Sequence, residues 1–223
     1  MSIPGSMYLS TSTGLRTVSD IVAQGGTSLV FNNLTTDSPE DNLLLGKPNV
    51  LACTNNRANV FRLLTKEGYY VDLTADHAVF VKDFGKKMLK DIEMGEIIHI
   101  AAMKGYYGLT GSVRYGRSLF WLSPVTAKIY DNSLETIGAY LNQLFKIGIN
   151  SIDKSHLQEI QLLLAHYGIM SAIELEEFWV LRIYKKDKPK LRRYLKQLKH
   201  DPEPLRYYYA HVESIELVST EPV

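Results

Sequence analysis

Residues 60–81 read VFRLLTKEGYYVDLTADHAVFV. Two runs rich in aromatic and β-branched residues, Val60–Leu64 and Tyr69–Leu73, flank Lys66-Glu67-Gly68. Gly68 can take the positive φ that a hairpin turn needs, so the stretch predicts a β-hairpin. The second run leads into Thr74-Ala75-Asp76-His77, and the apolar run Ala78–Val81 follows as a further strand. A hydroxyl and an imidazole three residues apart at a strand end can grip one carbonyl or amide from two sides. A polar β-turn with an incidental histidine fits the same four residues, and a T-x-x-H spacing alone favours that plainer reading.

Composition narrows the setting. A chain of 223 residues is long enough to bury a proper core, as one large domain or two small ones. Its 25 Lys and Arg nearly balance its 24 Asp and Glu, so no global acidic or basic partner is implied. One local run, Lys185 to Lys199, is basic. Cys53 is the only cysteine, which excludes an internal disulfide and makes a reducing compartment the default. It reads as a structural cysteine, since nothing electropositive surrounds it in the sequence. No apolar run is long enough to span a membrane, and the first residues lack a signal-peptide pattern. The expectation is a soluble, cytoplasmic protein without a membrane partner.

The opening, SIPGSMYLSTSTGLRTVSDIV from Ser2 to Val22, has a turn signal at Pro4-Gly5. Strands are expected at Met7–Thr11 and Leu15–Val18 around a turn at Ser12–Gly14, then a short helical turn to Val22. Here a family resemblance enters. The places held by Ser2, Ser6, Met7–Thr11 and Gly14 resemble the start of an intein, the self-splicing Hint fold. Thr65–His77, TKEGYYVDLTADH, is similar to that family's second block, whose Thr and His act on the first peptide bond. Lys90–Ile98, KDIEMGEII, resembles the strand that follows it. Three matches in the right order carry the resemblance. It implies catalytic roles for Ser2, Thr74 and His77. Ser2 would attack the preceding carbonyl, His77 would protonate the departing amide nitrogen, and Thr74 with nearby backbone N–H groups would stabilise the oxyanion. Ser2 is either the native nucleophile, a replaced Cys, or a residue misaligned by a few positions. Asp76 reads as a turn residue. No cofactor and no metal are implied.

Between these blocks residues 24–57 are polar and turn-rich, with short strands expected at Ser28–Phe31 and Val50–Ala52. After Gly105–Ser112, a glycine-rich exit, a helical period appears. Leu134, Ile137, Leu141, Leu144 and Phe145 make one stripe, with Asn132 and Glu135 placed as a capping box. A second helix is expected from Ser155 to Tyr167, capped by Ser155 and Gln158, striped by Leu157, Ile160 and Leu164, and stopped by Gly168. Phe178–Tyr184 reads as a strand. Asp187-Lys188-Pro189 opens a third helix, with Leu191, Tyr194, Leu195 and Leu198 inward and Lys190, Arg192, Arg193, Lys196 and Lys199 outward.

Tyr140–Phe145 and Leu162–Ile169 resemble the signature helix and the helix end of LAGLIDADG homing endonucleases, which are inserted in many inteins. That signature helix ends in a metal-holding carboxylate. Lys146-Ile147-Gly148-Ile149 has none, and Mg²⁺ needs oxygen ligands. Asn150–Lys154 is also too short for the family's DNA-reading hairpin. The expected insert is degenerate, without nuclease activity, and its DNA binding is weak or absent.

In the tail, Val212–Val218 reads as a strand with a turn at Ser219–Pro222, similar to the approach to the family's sixth block. The family's final block, ending in His-Asn, has no counterpart here. The expectation is therefore an N-terminal part of a split or truncated intein. Its partners would be a complementary C-terminal intein fragment and the flanking exteins as substrate. The expected fold is mainly β, a Hint (intein) fold with an inserted α/β LAGLIDADG-like remnant. The expected boundaries are 1–114 and 205–223 for the splicing domain and 115–204 for the insertion. Two other classes remain open: an active homing endonuclease and an inert Hint-like binding module.

Overall fold

The computed structural model describes residues 3–11, 14–24, 30–32, 44–46, 57–102, 133–147, 149–151, 153–166, 168–197 and 206–222. The chain is mainly β, with antiparallel sheets. It divides into two compact units. One comprises Met1–Ser12, Arg16–Ala101 and Tyr207–Val223; the other comprises Thr13–Leu15 and Ala102–Arg206.

The first unit opens with β1 (Tyr8–Thr11), the second half of β2 (Gly14–Thr17) and helix α1 (Val18–Ala23). Thr17 caps the helix, its hydroxyl accepting from the Asp20 N–H at 3.1 Å. Short strands β3 (Val30–Asn32) and β4 (Leu44–Gly46) complete a four-stranded sheet in the order β2-β1-β3-β4. The predicted strand at Val50–Ala52 and Cys53 lie outside the described residues.

The larger sheet is built from the opening hairpin. Strand β5 (Arg57–Thr65) pairs antiparallel with β6 (Tyr70–Thr74), register Leu63 to Val71. Gly68 takes φ 95°, and the turn is closed by Gly68 N–H to Thr65 O at 2.9 Å and Tyr69 N–H to the Thr65 hydroxyl at 3.1 Å. Next come β7 (Ala78–Val81), β8 (Gly85–Met88), a 3₁₀ turn at Leu89–Asp91, β9 (Ile97–Ala102) and, after the second unit, β13 (Arg206–Pro222). The six strands lie in the order β6-β5-β13-β9-β7-β8.

Alternation places Leu63, Leu73, Val81, Ile98, Ala210 and Val212 on one face, where they form a core with Leu89 and Ile92. Each fully buried side chain of this kind contributes roughly 1.5–3 kcal/mol. The tail departs from expectation. Strand β13 continues through Ser219–Pro222, which pair with Val60, Asn59, Ala58 and Arg57 instead of turning. Register shifts at Val212/Ser214 and Leu217/Ser219 bend the strand without ending it.

The second unit contains α2 (Leu134–Ile147), β10 (Asn150–Ser151), α3 (Lys154–His166), β11 (Ser171–Leu175), β12 (Trp179–Ile183) and α4 (Lys188–Gln197). Its three strands lie in the order β10-β12-β11. Caps differ from those expected. The Ser133 hydroxyl meets Thr136 at the start of α2, while Asn132 lies outside the described residues. The Asp153 carboxylate, rather than Ser155, caps α3, accepting from the Ser155 N–H and hydroxyl at 2.8 Å each. Gly168 does stop that helix, at φ 65°. Its N–H reaches Ala165 O and the Ile169 N–H reaches Leu164 O, a Schellman closure. Phe178 lies in the turn before β12, exposed, because Glu176 N–H closes onto its carbonyl. Lys190, expected outward in solvent, donates to the Gly168 carbonyl at 2.9 Å. Tyr194, Leu195 and Lys196 lie on the backbone of α4 with undescribed side chains, and Leu198 and Lys199 lie outside the described residues.

No helix among the described residues is long and apolar enough to cross a membrane.

Candidate functional site: the turn Thr74–His77

Strand β6 ends at Thr74 because the chain must fold back into β7, and the turn closes with His77 N–H to Thr74 O at 3.0 Å. Two further backbone bonds tie the turn to the 3₁₀ segment. Leu89 N–H donates to His77 O at 2.8 Å, and Lys90 N–H donates to Ala75 O at 3.0 Å. Leu89 itself is fully buried in the core, so it anchors the turn from below. The second and third blocks of the sequence, far apart in reading, are thus one hydrogen-bonded unit. Gly95, at φ 88°, then turns the chain into β9, and the Glu96 carboxylate accepts from the Glu93 N–H at 2.9 Å.

Within the turn, Thr74 is only 5% exposed. Its hydroxyl donates to Asp76 Oδ1 at 2.6 Å, a short charge-assisted bond. Asp76 is therefore more than a turn residue: it fixes the rotamer of the Thr74 hydroxyl. With that proton committed to the carboxylate, the Thr74 hydroxyl is a group of fixed orientation. The Thr74 hydroxyl, donating to it, helps hold the Asp76 carboxyl below the usual carboxylate range. His77 is half-buried, with Nδ1 shielded from solvent.

Ser2 lies outside the described residues. Its neighbour Ile3 packs, partly buried, against the core cluster that holds Leu73 and Leu89. Those two residues flank the Thr74–His77 turn, one in sequence and one through its backbone bond to His77. Pro4 is buried, and Met7 N–H to Pro4 O at 3.1 Å closes the expected turn at Pro4-Gly5. Ser19 N–H to Gly5 O and Val18 N–H to Met7 O then fasten the segment to the start of α1. Neither the Asp76 contact nor the 3₁₀ tie was read from the sequence. The T-x-D spacing, with a carboxylate two residues after a hydroxyl, was the available signal for the first.

The sequence matches no protein-family model and no curated protein.

The second unit offers a different surface, a cleft of about 460 Å³ lined by Phe145, Leu181, Leu191, Lys188 and Arg192. Its side chains are apolar and cationic. Among the described residues no group of three His, Cys, Asp or Glu converges to hold a metal ion. Within the stretch read against the nuclease signature, Lys146 and Ile147 end the backbone of α2 and Gly148 lies outside the described residues.

Proposed function

We propose that this chain is the N-terminal part of an intein, which splices with a complementary C-terminal intein piece. The first step would be an acyl shift at Ser2. The Ser2 hydroxyl adds to the carbonyl of the preceding residue, and the C–N bond breaks as an ester forms. The proton lost by the hydroxyl balances the one gained by the departing amine. Imidazole as a side-chain type exchanges protons around neutral pH, which suits His77 to deliver that proton. The reaction turns over once per molecule.

One observation carries this reading: Ile3 packs on the same cluster as Leu73 and Leu89, which brackets the Thr74–His77 turn. That favours an approach of the residue before Ile3 to a hydroxyl, a carboxylate and an imidazole. Because the Thr74 proton goes to Asp76, oxyanion donors would be backbone N–H groups, with Thr74 and Asp76 holding the turn in shape. No His-Asn pair like that of the family's final block occurs in residues 1–223, so the C-terminal cleavage needs a further segment.

The test joins a real N-terminal extein to residue 2 and adds candidate C-terminal pieces. Hydroxylamine cleavage then reports the ester. His77→Ala is expected to slow ester formation roughly 10²–10⁴-fold, the usual worth of a positioned acid–base group. An unchanged rate in a partner-complete assembly would remove the histidine, and with it this reading.

A further inference from the structure

The six-stranded sheet has a second face, turned away from its core, and part of it is aromatic and cationic. Val79 and Val81 of β7 pack inward, so Phe80 and Lys82 project from the other side. Phe80 sits opposite Lys86 of β8, whose Nζ lies 5.4 Å from the ring centroid. Val81 pairs with Ile98, which brings His99 of β9 beside Phe80. His99 meets the Tyr209 ring of β13 edge to face, centroids 5.0 Å apart at 82°. The Lys82 ammonium lies 5.1 Å from that same ring. Four neighbouring strands therefore contribute one row, Lys86–Phe80–His99–Tyr209, with Lys82 beside its end. Tyr209 is 50% exposed, and Phe84, at the β7–β8 tip with Lys87 over its ring, is 73% exposed.

Cations over aromatic rings, lysine and arginine together, occur about once per 70–80 residues in proteins. Here three lysines do so within residues 80–87, two over rings of the β7–β8 hairpin and one over Tyr209 of β13, two strands away from β7. Core packing does not account for them, since neither Phe80 nor Tyr209 belongs to the buried cluster. Among the neighbouring carboxylates, Glu96 is engaged by Lys87 at 2.8 Å and Glu67 by His211, while Asp83 stands in the exposed turn.

We propose that this row is a binding platform for single-stranded nucleic acid, with bases stacking on Tyr209 and Phe80 and phosphates meeting Lys82 and Lys86. Rings two strands apart, with His99 between them, offer π-faces to unpaired bases, and the lysines beside them follow the backbone charge. Double-stranded DNA hides its bases and would gain only the charge contribution. The row is carried by β7, β8, β9 and β13 of the first unit, and none of its residues belongs to Thr74–His77.

The test uses the full chain and a fluorescent oligothymidylate of roughly 15 nucleotides, within the usual site size, read by anisotropy. Saturable binding at about 0.15 M salt is expected. Tyr209→Ala should weaken it roughly tenfold and Tyr209→Phe should not, since stacking needs the ring and not the hydroxyl. Replacing Lys82 and Lys86 together by Gln should make the log–log salt slope shallower by about 1.4, two phosphates at ~0.7 each. Should Tyr209→Ala fail to fold, judged by its circular dichroism, the Lys82/Lys86 slope decides alone. Arg192→Gln with Arg193→Gln should leave binding unchanged. The proposal is overturned by absent binding, by loss through Arg192 and Arg193, or by equal competition from duplex DNA or polyglutamate.

Discussion

The pair Thr74–Asp76 shows how one hydrogen bond changes the meaning of a motif. A hydroxyl that donates to a carboxylate at 2.6 Å is an oriented group, not a free donor. The Asp76 carboxyl titrates lower in the folded chain than in the unfolded one, so it favours the fold above its ordinary pKa and loses that contribution as pH falls toward about 2. Side-chain carbon NMR should therefore find its midpoint below the ordinary aspartate range. Thr74→Val should raise it; a midpoint that ignores the change would dismiss this coupling. A separate carboxylate, Asp187, is 3% exposed, with Oδ2 accepting from the Met170 N–H at 3.0 Å. Asp187→Ala leaves that buried N–H without its acceptor and is expected to cost about 1–3 kcal/mol in urea unfolding. The sequence marked Asp187 only as the opening of a helix, because a contact across 17 residues leaves no local pattern.

Among the elements, the β5–β6 hairpin depends on Gly68 at φ 95°, where an L side chain meets the following carbonyl. Gly68→Ala should destabilise the first unit by about 1–2 kcal/mol, measured as a shift in urea midpoint at constant slope. The turn also docks on β13 through Lys66 N–H to His211 O and through Glu67, which accepts from the His211 N–H at 3.0 Å. Hairpin and helix spans were readable because aromatic and β-branched runs, glycine stops and apolar stripes are local signals. Strands β4, β8, β10 and β11 were not read. Gly85-Lys86-Lys87-Met88 has no apolar alternation, and it is a strand because β7 supplies its ladder. The middle of α2, residues 136–141, is buried all round rather than along one stripe, so periodicity understated its burial.

At the scale of the whole molecule, the second unit leaves β9 at Ala102 and returns to β13 at Arg206, on hydrogen-bonded neighbour strands. Such a connection can be shortened cheaply, since closure entropy grows only slowly with loop length. Replacing residues 103–205 by a short linker should leave the first unit cooperatively folded, with β5, β9 and β13 amides still protected in hydrogen exchange. Loss of that protection would mean that the second unit holds the sheet together. The second unit is expected not to cut double-stranded DNA carrying the insertion site in Mg²⁺ or Mn²⁺, because Lys146–Ile149 offers no carboxylate. Specific metal-dependent cleavage on a gel would contradict this.

What residues 1–223 declare without any tertiary contact is local: the turn at Gly68, the stop at Gly168 and a predominance of strands in the first hundred residues. Period and turn chemistry act over a few residues and survive in the one-dimensional chain. The tertiary structure decided what distance decides. It carried Ser219–Pro222 along β5 instead of through a turn, since ladder bonds outweigh a weak proline signal at the strand's end. It tied Thr74–His77 to Leu89 and Lys90, and set Ile3 on the cluster bracketing that turn. It also gathered Lys86, Phe80, His99 and Tyr209 from four strands onto one face, a juxtaposition between residues more than a hundred positions apart that only sheet order creates.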